Sequence, residues 1–99
     1  MEITIIQENG TTTVNIAGRL DTVTSPELDK AVKPHIGSGA SIVFNCDKMV
    51  YVSSSGLRVV LATHKQVTAA GGRFMVKNLN AEVKSVFDLT GFSRILAIE

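Results

Sequence analysis

Cysteine occurs once in the 99 residues, at Cys46, so the chain can close no internal disulfide and a thiolate zinc site would have to recruit other ligands. A reducing compartment fits that count, and a cytoplasmic protein is expected. Proline occurs only twice, which removes proline-rich linkers and argues against disorder. Charge of one sign is also missing: ten Lys and Arg stand against nine Asp and Glu, interspersed along the chain. Nucleic acid and membrane surfaces both call for a clustered positive field, so neither is expected as a partner. No apolar run reaches the length of a membrane span. The opening "MEITIIQENG" carries an acid at position 2 and a short apolar stretch, so neither a signal peptide nor a span is expected there. Asn9-Gly10-Thr11 matches a glycosylation sequon, but without a secretion signal it reads as a turn.

What is present is enough apolar residue, 44%, for one core without a staple. The length suits a single domain, residues 1–99. Runs 2–7 and 12–17, rich in β-branched residues, flank Glu8-Asn9-Gly10 and predict an antiparallel hairpin. Gly18 is expected to end its second strand. Ser25 then caps a helix over 26–35 that has Pro26 in its first turn and Leu28, Ala31 and Val32 on one face. The apolar run 41–46 reads as a central strand ending at Asp47. After "SSS", Leu57, Val60, Leu61, His64 and Val67 or Thr68 form the stripe of a long helix closed by Gly71-Gly72, with Arg58 facing away. A strand over 73–78, a helix capped by Asn80 and ending near Gly91, and a last strand over 93–99 complete the order β-β-α-β-α-β-α-β. That alternation predicts an α/β domain with a mixed, mostly parallel sheet of four to five strands and about three helices. Three helices for five strands also predict that one sheet face is only partly covered.

The stretch "YVSSSGL", Tyr51 to Leu57, puts three hydroxyls in a row. One of them can cap the helix, accepting a free N–H of the first turn. A nucleophilic serine would need a base in reach and a Gly-x-Ser-x-Gly elbow. No glycine stands two positions ahead of the serines. His35 ends the first helix, and His64 lies about 12 Å or more along the serines' own helix. The third reading is a switched hydroxyl, because the positive end of a helix tolerates an added phosphate. Gly56 would then let a kinase or partner approach the backbone.

Other candidates have simpler readings. Asp47 stands where ligands of open α/β sheets gather, but a turn-forming or backbone-capping carboxylate is the favoured account of it. His64 on an apolar stripe reads as a partly buried, hydrogen-bonded histidine, and Cys46 as a small buried hydrophobe. Phe87, Leu89, Phe92 and Ile95 read as core. "GGR" precedes a strand where a phosphate-cradling loop would precede a helix, and neither cofactor nor metal is expected.

Three motifs in order carry a likeness across the chain: "GRLDTVTSPEL", "IVFNCDKMVYVSSSGLRVVL" and "GGRFMVKNLNAEVKSVFDLTGF". Together they resemble the STAS domain of bacterial anti-sigma factor antagonists. The resemblance implies a non-enzymatic module that binds an anti-sigma factor with serine kinase activity and so releases a sigma factor. A metal-dependent serine phosphatase would reverse the phosphorylation. Carried over, the phosphorylated residue is Ser54, two before Gly56, with Ser53 and Ser55 as alternatives. The partner surface takes in Asp21, Thr24, Ser53, Ser54, Ser55, Gly56 and Arg58, with Ser25 beside it. Many regulated members carry an acid where this chain has Ser53, so the local field here is less negative. A constitutive STAS subunit of a transport, lipid-trafficking or signalling assembly is the alternative, in which the serines only cap the helix. Small-ligand binding at the sheet edge is a third class.

Overall fold

The first pairing is set by Asn9 and Gly10, both with positive φ, 52° and 78°. Two such residues make the tight turn whose twist matches that of the flanking strands, and they join β1 (Glu2–Glu8) to β2 (Thr11–Leu20) antiparallel, with Glu8 opposite Thr11. The structure is a computed structural model describing residues 1–99. From β2 onward every pairing is parallel: β3 (Ser41–Val52), β4 (Arg73–Lys77) and β5 (Ala97–Ile98) follow in the order β1-β2-β3-β4-β5. The crossovers are α1 (Ser25–Val32), α2 (Ser54–Ala69) and α3 (Ala81–Leu89). The predicted α/β order and mixed sheet are therefore observed. No helix is long and apolar enough to cross a membrane.

Strand alternation decides where the core sits. Val14 and Ile16 of β2, Ile42, Phe44 and Cys46 of β3, and Phe74 and Val76 of β4 are buried on one face, beneath Leu28, Val32, Leu57, Val60, Val67, Val83 and Phe87 of the helices. The rings of Phe44 and Phe74 meet edge to face, 4.8 Å apart. Thr13, Asn15, Val43, Asn45, Met75 and Lys77, on the other face, stay half-buried with no helix over them. The sheet is thus covered on one side, as the helix count predicts.

Several element boundaries differ from the sequence reading, each for a local reason. β2 does not stop at Gly18, and β3 does not stop before Asp47. The β2–β3 register shifts by one residue between Asn15 and Ala17 and again between Gly18 and Arg19. Each shift is a bulge that breaks the alternation, which leaves Asp47 and Lys48 exposed between buried Cys46 and Met49. Asp47 accordingly sits at a mid-strand bulge and not at the end of the strand. α1 ends at Val32 and passes into a 3-10 turn, Lys33–His35, because Pro34 cannot continue an α-helical ladder. Ser25 is not the cap of α1. Thr24 holds that position, while Ser25 is the first helical residue, buried, its hydroxyl donating to Asp21 O. The final strand is only Ala97–Ile98, preceded by a 3-10 turn over Phe92–Arg94.

Leu89 and Ile95 are not core, being 85% and 53% exposed. Val83 and Phe87 define the inner stripe of α3, so Leu89, two residues further round, faces water, and Leu96 takes the buried place expected of Ile95. On α2 the half-buried Leu61 gives way to Thr63, whose buried hydroxyl donates to Val59 O at 2.8 Å. Asn80 caps α3 as predicted, accepting from Val83 N–H at 2.8 Å, and it also reaches back to donate to Met49 O at 3.1 Å. Gly71 and Gly72 close α2 with N–H bonds to Thr68 O and Val67 O.

Candidate functional site

The carboxyl ends of β2 and β3 deliver two loops side by side. Ser53 N–H donates to Leu20 O at 2.9 Å, which fixes the start of α2 against the end of β2. Gly56 is buried in that contact. A Cβ built on it would lie 2.8 Å from both Leu20 Cγ and Leu20 O, and 3.0 Å from Val52 Cγ2. The close approach that Gly56 permits in the structure is to this chain's own β2, where the sequence points to a kinase or partner.

The three serines divide their roles. Ser53 is the cap: it is extended at φ −95° and ψ 174°, and its Oγ accepts from Gly56 N–H at 3.2 Å. Ser55 Oγ lies 3.2 Å from Thr22 Oγ1, tying the first turn of α2 to the β2–α1 loop. Ser54, the first residue of the helix, is exposed and its hydroxyl has no partner in the chain. Arg58 is exposed one turn further on, with no carboxylate in ion-pair range. Replacing Ser53 by Ala should cost about 1 kcal/mol of stability, whereas Ser54→Ala should stay within about 0.5 kcal/mol; urea unfolding of the two variants checks this.

The β2–α1 loop is organised by Asp21. Its Oδ1 accepts from Val23 N–H at 3.0 Å and Thr24 N–H at 3.1 Å, fixing the turn just ahead of the helix, while the first helical N–H, that of Ser25, donates to the Asp21 backbone carbonyl at 2.8 Å. Thr24 Oγ1 accepts from Asp21 N–H at 2.9 Å, and two acceptors lie in reach of its one proton, Arg19 O at 2.8 Å and Asp21 Oδ1 at 3.2 Å. Arg19 Nε stands 3.7 Å from Asp21 Oδ2, and its guanidinium lies 4.0 Å over the Tyr51 ring. Asp21, Ser53, Ser54 and Ser55 are thus gathered at one end of the sheet, with Arg58 on the adjoining helix face. Thr24 is held inside the loop by its own hydrogen bonds. Arg19, Thr22 and Tyr51 belong to the same cluster and escape the sequence reading. Arg19 and Tyr51 are register partners only once β3 is known to run past Asp47.

The Thr24 backbone N–H holds the Asp21 carboxyl below its ordinary value of 3.8, aided by the Thr24 hydroxyl, Val23 N–H and Arg19 and opposed by partial burial. Asp88 is lowered in the same way, by the Ser93 hydroxyl first and then by Lys84. A carboxyl with a folded pKa below its unfolded one favours the native state above the unfolded value, and that contribution disappears as pH falls through the folded value. Stability should therefore drop between about pH 5 and pH 2, and Asp21→Asn should flatten the drop in denaturation curves taken across that range.

No nucleophile-base pair is assembled. His35 Nδ1 lies 3.1 Å from Gln7 Nε2, and the His64 ring lies 6.2 Å from that of Phe74. His64 is half-buried as expected, but its buried Nδ1 has no hydrogen-bond partner, which corrects the reading of a bonded imidazole. Burial pushes the Cys46 thiol up to about 12, in keeping with a small hydrophobe. No three His, Cys, Asp or Glu side chains converge as metal ligands.

A family model described as the STAS domain matches residues 2–99. The chain belongs to the STAS domain family. This STAS domain is 31% identical to the anti-sigma-B factor antagonist of Bacillus subtilis (strain 168), over 99% of the chain and 90% of that protein. It is 28% identical to the anti-sigma F factor antagonist of Paenibacillus polymyxa, over 99% of the chain and 86% of that protein. Among solved structures, an anti-sigma factor antagonist from Mycobacterium paratuberculosis superposes with a TM-score of 0.88 at 21% identity, covering 98% of this chain and 83% of that one. That likeness shows the fold, and the five-stranded STAS architecture described above is shared.

Proposed function

We propose that this STAS domain is an anti-sigma factor antagonist: it binds an anti-sigma factor, a sigma factor is released, and a phosphate on Ser54 turns the binding off. The observation that carries the reading is the division of labour among the serines. Ser53 Oγ is engaged by Gly56 N–H and Ser55 Oγ by Thr22, while the Ser54 hydroxyl is exposed and unpartnered. The likeness to named antagonists supports the partner class.

In this reading the partner is a serine kinase as well as an anti-sigma factor, and it docks over Asp21, Thr22 and the first turn of α2, with Arg58 at the rim. Transfer of the γ-phosphoryl group of ATP to Ser54 Oγ expels ADP and the hydroxyl proton. The product carries about −1.5 to −2 charges at the first helical residue, where the partial positive charge of the helix end stabilises them. The fold survives, and the docking surface changes sign. A metal-dependent serine phosphatase restores the hydroxyl. The domain itself performs no chemistry, being the substrate of both enzymes.

Incubation with the kinase-type anti-sigma factor and ATP, followed by peptide mapping by mass spectrometry, should find one phosphate, on Ser54. A phosphate on any other residue would sink the assignment. No phosphate on the unaltered chain, together with a Ser54→Ala protein whose function is intact, would leave a constitutive STAS subunit in its place.

A further inference from the structure

We propose that the uncovered face of the sheet is a self-association surface, joining two copies of this chain about a two-fold axis that runs parallel to the strands between β2 and β3. The proposal concerns the face opposite the helices and goes beyond the switch at Ser54. It rests on the register. Three rows of side chains cross β1 to β4 on that face, Glu8–Thr11–Ser41–Arg73, Ile6–Thr13–Val43–Met75 and Thr4–Asn15–Asn45–Lys77, and the middle row runs on to the exposed Ala97 of β5. In a two-fold pairing each row must meet its own reverse, because an isologous interface pairs residue i with j and j with i.

Reversed, the rows fit. Glu8 of one copy stands opposite Arg73 of the other, and this happens twice by symmetry. Both side chains are exposed, and neither has an ion-pair partner in its own chain. In the middle row Thr13 meets Val43 beside the axis, and Ile6, 43% exposed, meets Met75 to either side of it. In the third row Asn15 meets Asn45. Within one chain these amides already form a ladder, Asn45 Nδ2 donating to Asn15 Oδ1 and Asn78 Nδ2 to Asn45 Oδ1, both at 2.8 Å. An Asn amide group has two N–H donors, so the ladder retains donors to offer across the interface. A face with Glu8 at one edge and Arg73 at the other is complementary to itself only when one copy is turned over.

The size of the patch sets the strength. Four strands about 4.8 Å apart and five residues about 3.3 Å each give roughly 300 Å² in projection. Even with side-chain relief this lies below the roughly 800 Å² per partner of a stable complex, so the dimer is weak and exchanges with monomer. The direction of the axis has a consequence. Both copies point their Leu20 and Val52 ends the same way, so the dimer presents two Ser54 hydroxyls side by side, suited to a partner with two docking sites.

Sedimentation equilibrium from about 10 µM to about 1 mM, at low salt, should show a monomer–dimer equilibrium. Glu8→Lys alone and Arg73→Glu alone should each weaken it by roughly 10-fold or more, and the double variant E8K/R73E should restore it. Amide spectra over the same range should shift at Ile6, Thr13, Val43 and Met75 and stay fixed on α1 and α2. That second measurement holds even if a charge variant folds poorly. A monomer at every concentration overturns the proposal and leaves the face to a different protein. A dimer indifferent to both charge reversals, or one whose shifts fall on the helices, overturns it as well.

Discussion

Ser54→Asp should bind the anti-sigma partner roughly 100-fold or more weakly than the unaltered chain, a loss of about 2.7 kcal/mol, and should melt no lower. The two halves of that expectation have different causes. Binding falls because a carboxylate at the first residue of α2 must be desolvated or set against partner acids, and like charges brought together at an interface cost several kcal/mol. Stability holds because an acid in the first helical turn interacts favourably with the free N–H groups there, by about 0.3 to 1 kcal/mol. Ser54 also has no hydrogen bond to lose, unlike Ser53 with Gly56 N–H. Calorimetric titration of the partner and a thermal melt of the same sample separate the halves. Ser54→Asp binding at full strength would refute the switch, while a fall in binding together with a fall in melting temperature would indicate damage to the fold. Ser54→Ala should bind like the unaltered chain, since in the proposed switch the docked form carries the plain hydroxyl.

The elements that sequence reasoning recovered are those whose signal is local. Asn9-Gly10 needs only its own backbone to make a hairpin turn, and Asn80 needs only Val83 N–H to cap α3. Cys46 reads as buried because the alternation Ile42, Phe44, Cys46 holds up to that point. Beyond Cys46 the signal fails, because a bulge is a relation between two strands and leaves no mark in either one alone. Met49 returns to the core after one extra residue of β3, and Val52 after a second, each given to an irregularity against β2.

The site divides in the same way. The family likeness points to Ser54, two residues before Gly56, and to Asp21 through its motif. That Ser53 is the cap and Ser55 the partner of Thr22 follows from where β2 ends, which is a tertiary fact. Ser25 shows the converse failure. A Ser-Pro pair has the composition of a helix start, yet Asp21 Oδ1 already satisfies the N–H groups of Val23 and Thr24, and Ser25 is drawn inside.

Gly56→Ala should be the most damaging single-methyl change near the site, lowering stability by about 2 to 3 kcal/mol. Gly56 lies within α2, so helix propensity alone would make alanine the better residue by about 1 kcal/mol. Packing reverses that preference. The new Cβ would stand 2.8 Å from Leu20 O, a backbone atom that can move only if β2 moves, and 2.8 Å from Leu20 Cγ in a fully buried side chain. The start of α2 must then lift off the end of β2, which strains the Ser53 N–H bond to Leu20 O and the Thr22–Ser55 contact together. For a domain of this size the cost corresponds to a fall in melting temperature of roughly 10 to 20 °C, measurable by calorimetry. Partner binding should weaken too, because Asp21 and Ser54 are kept side by side by those two bonds. Leu20→Ala in the Gly56→Ala background removes the Cγ contact but not the carbonyl contact. It should therefore fail to restore the fold, whereas rescue by that second change would place the clash in the side chain and not in the backbone.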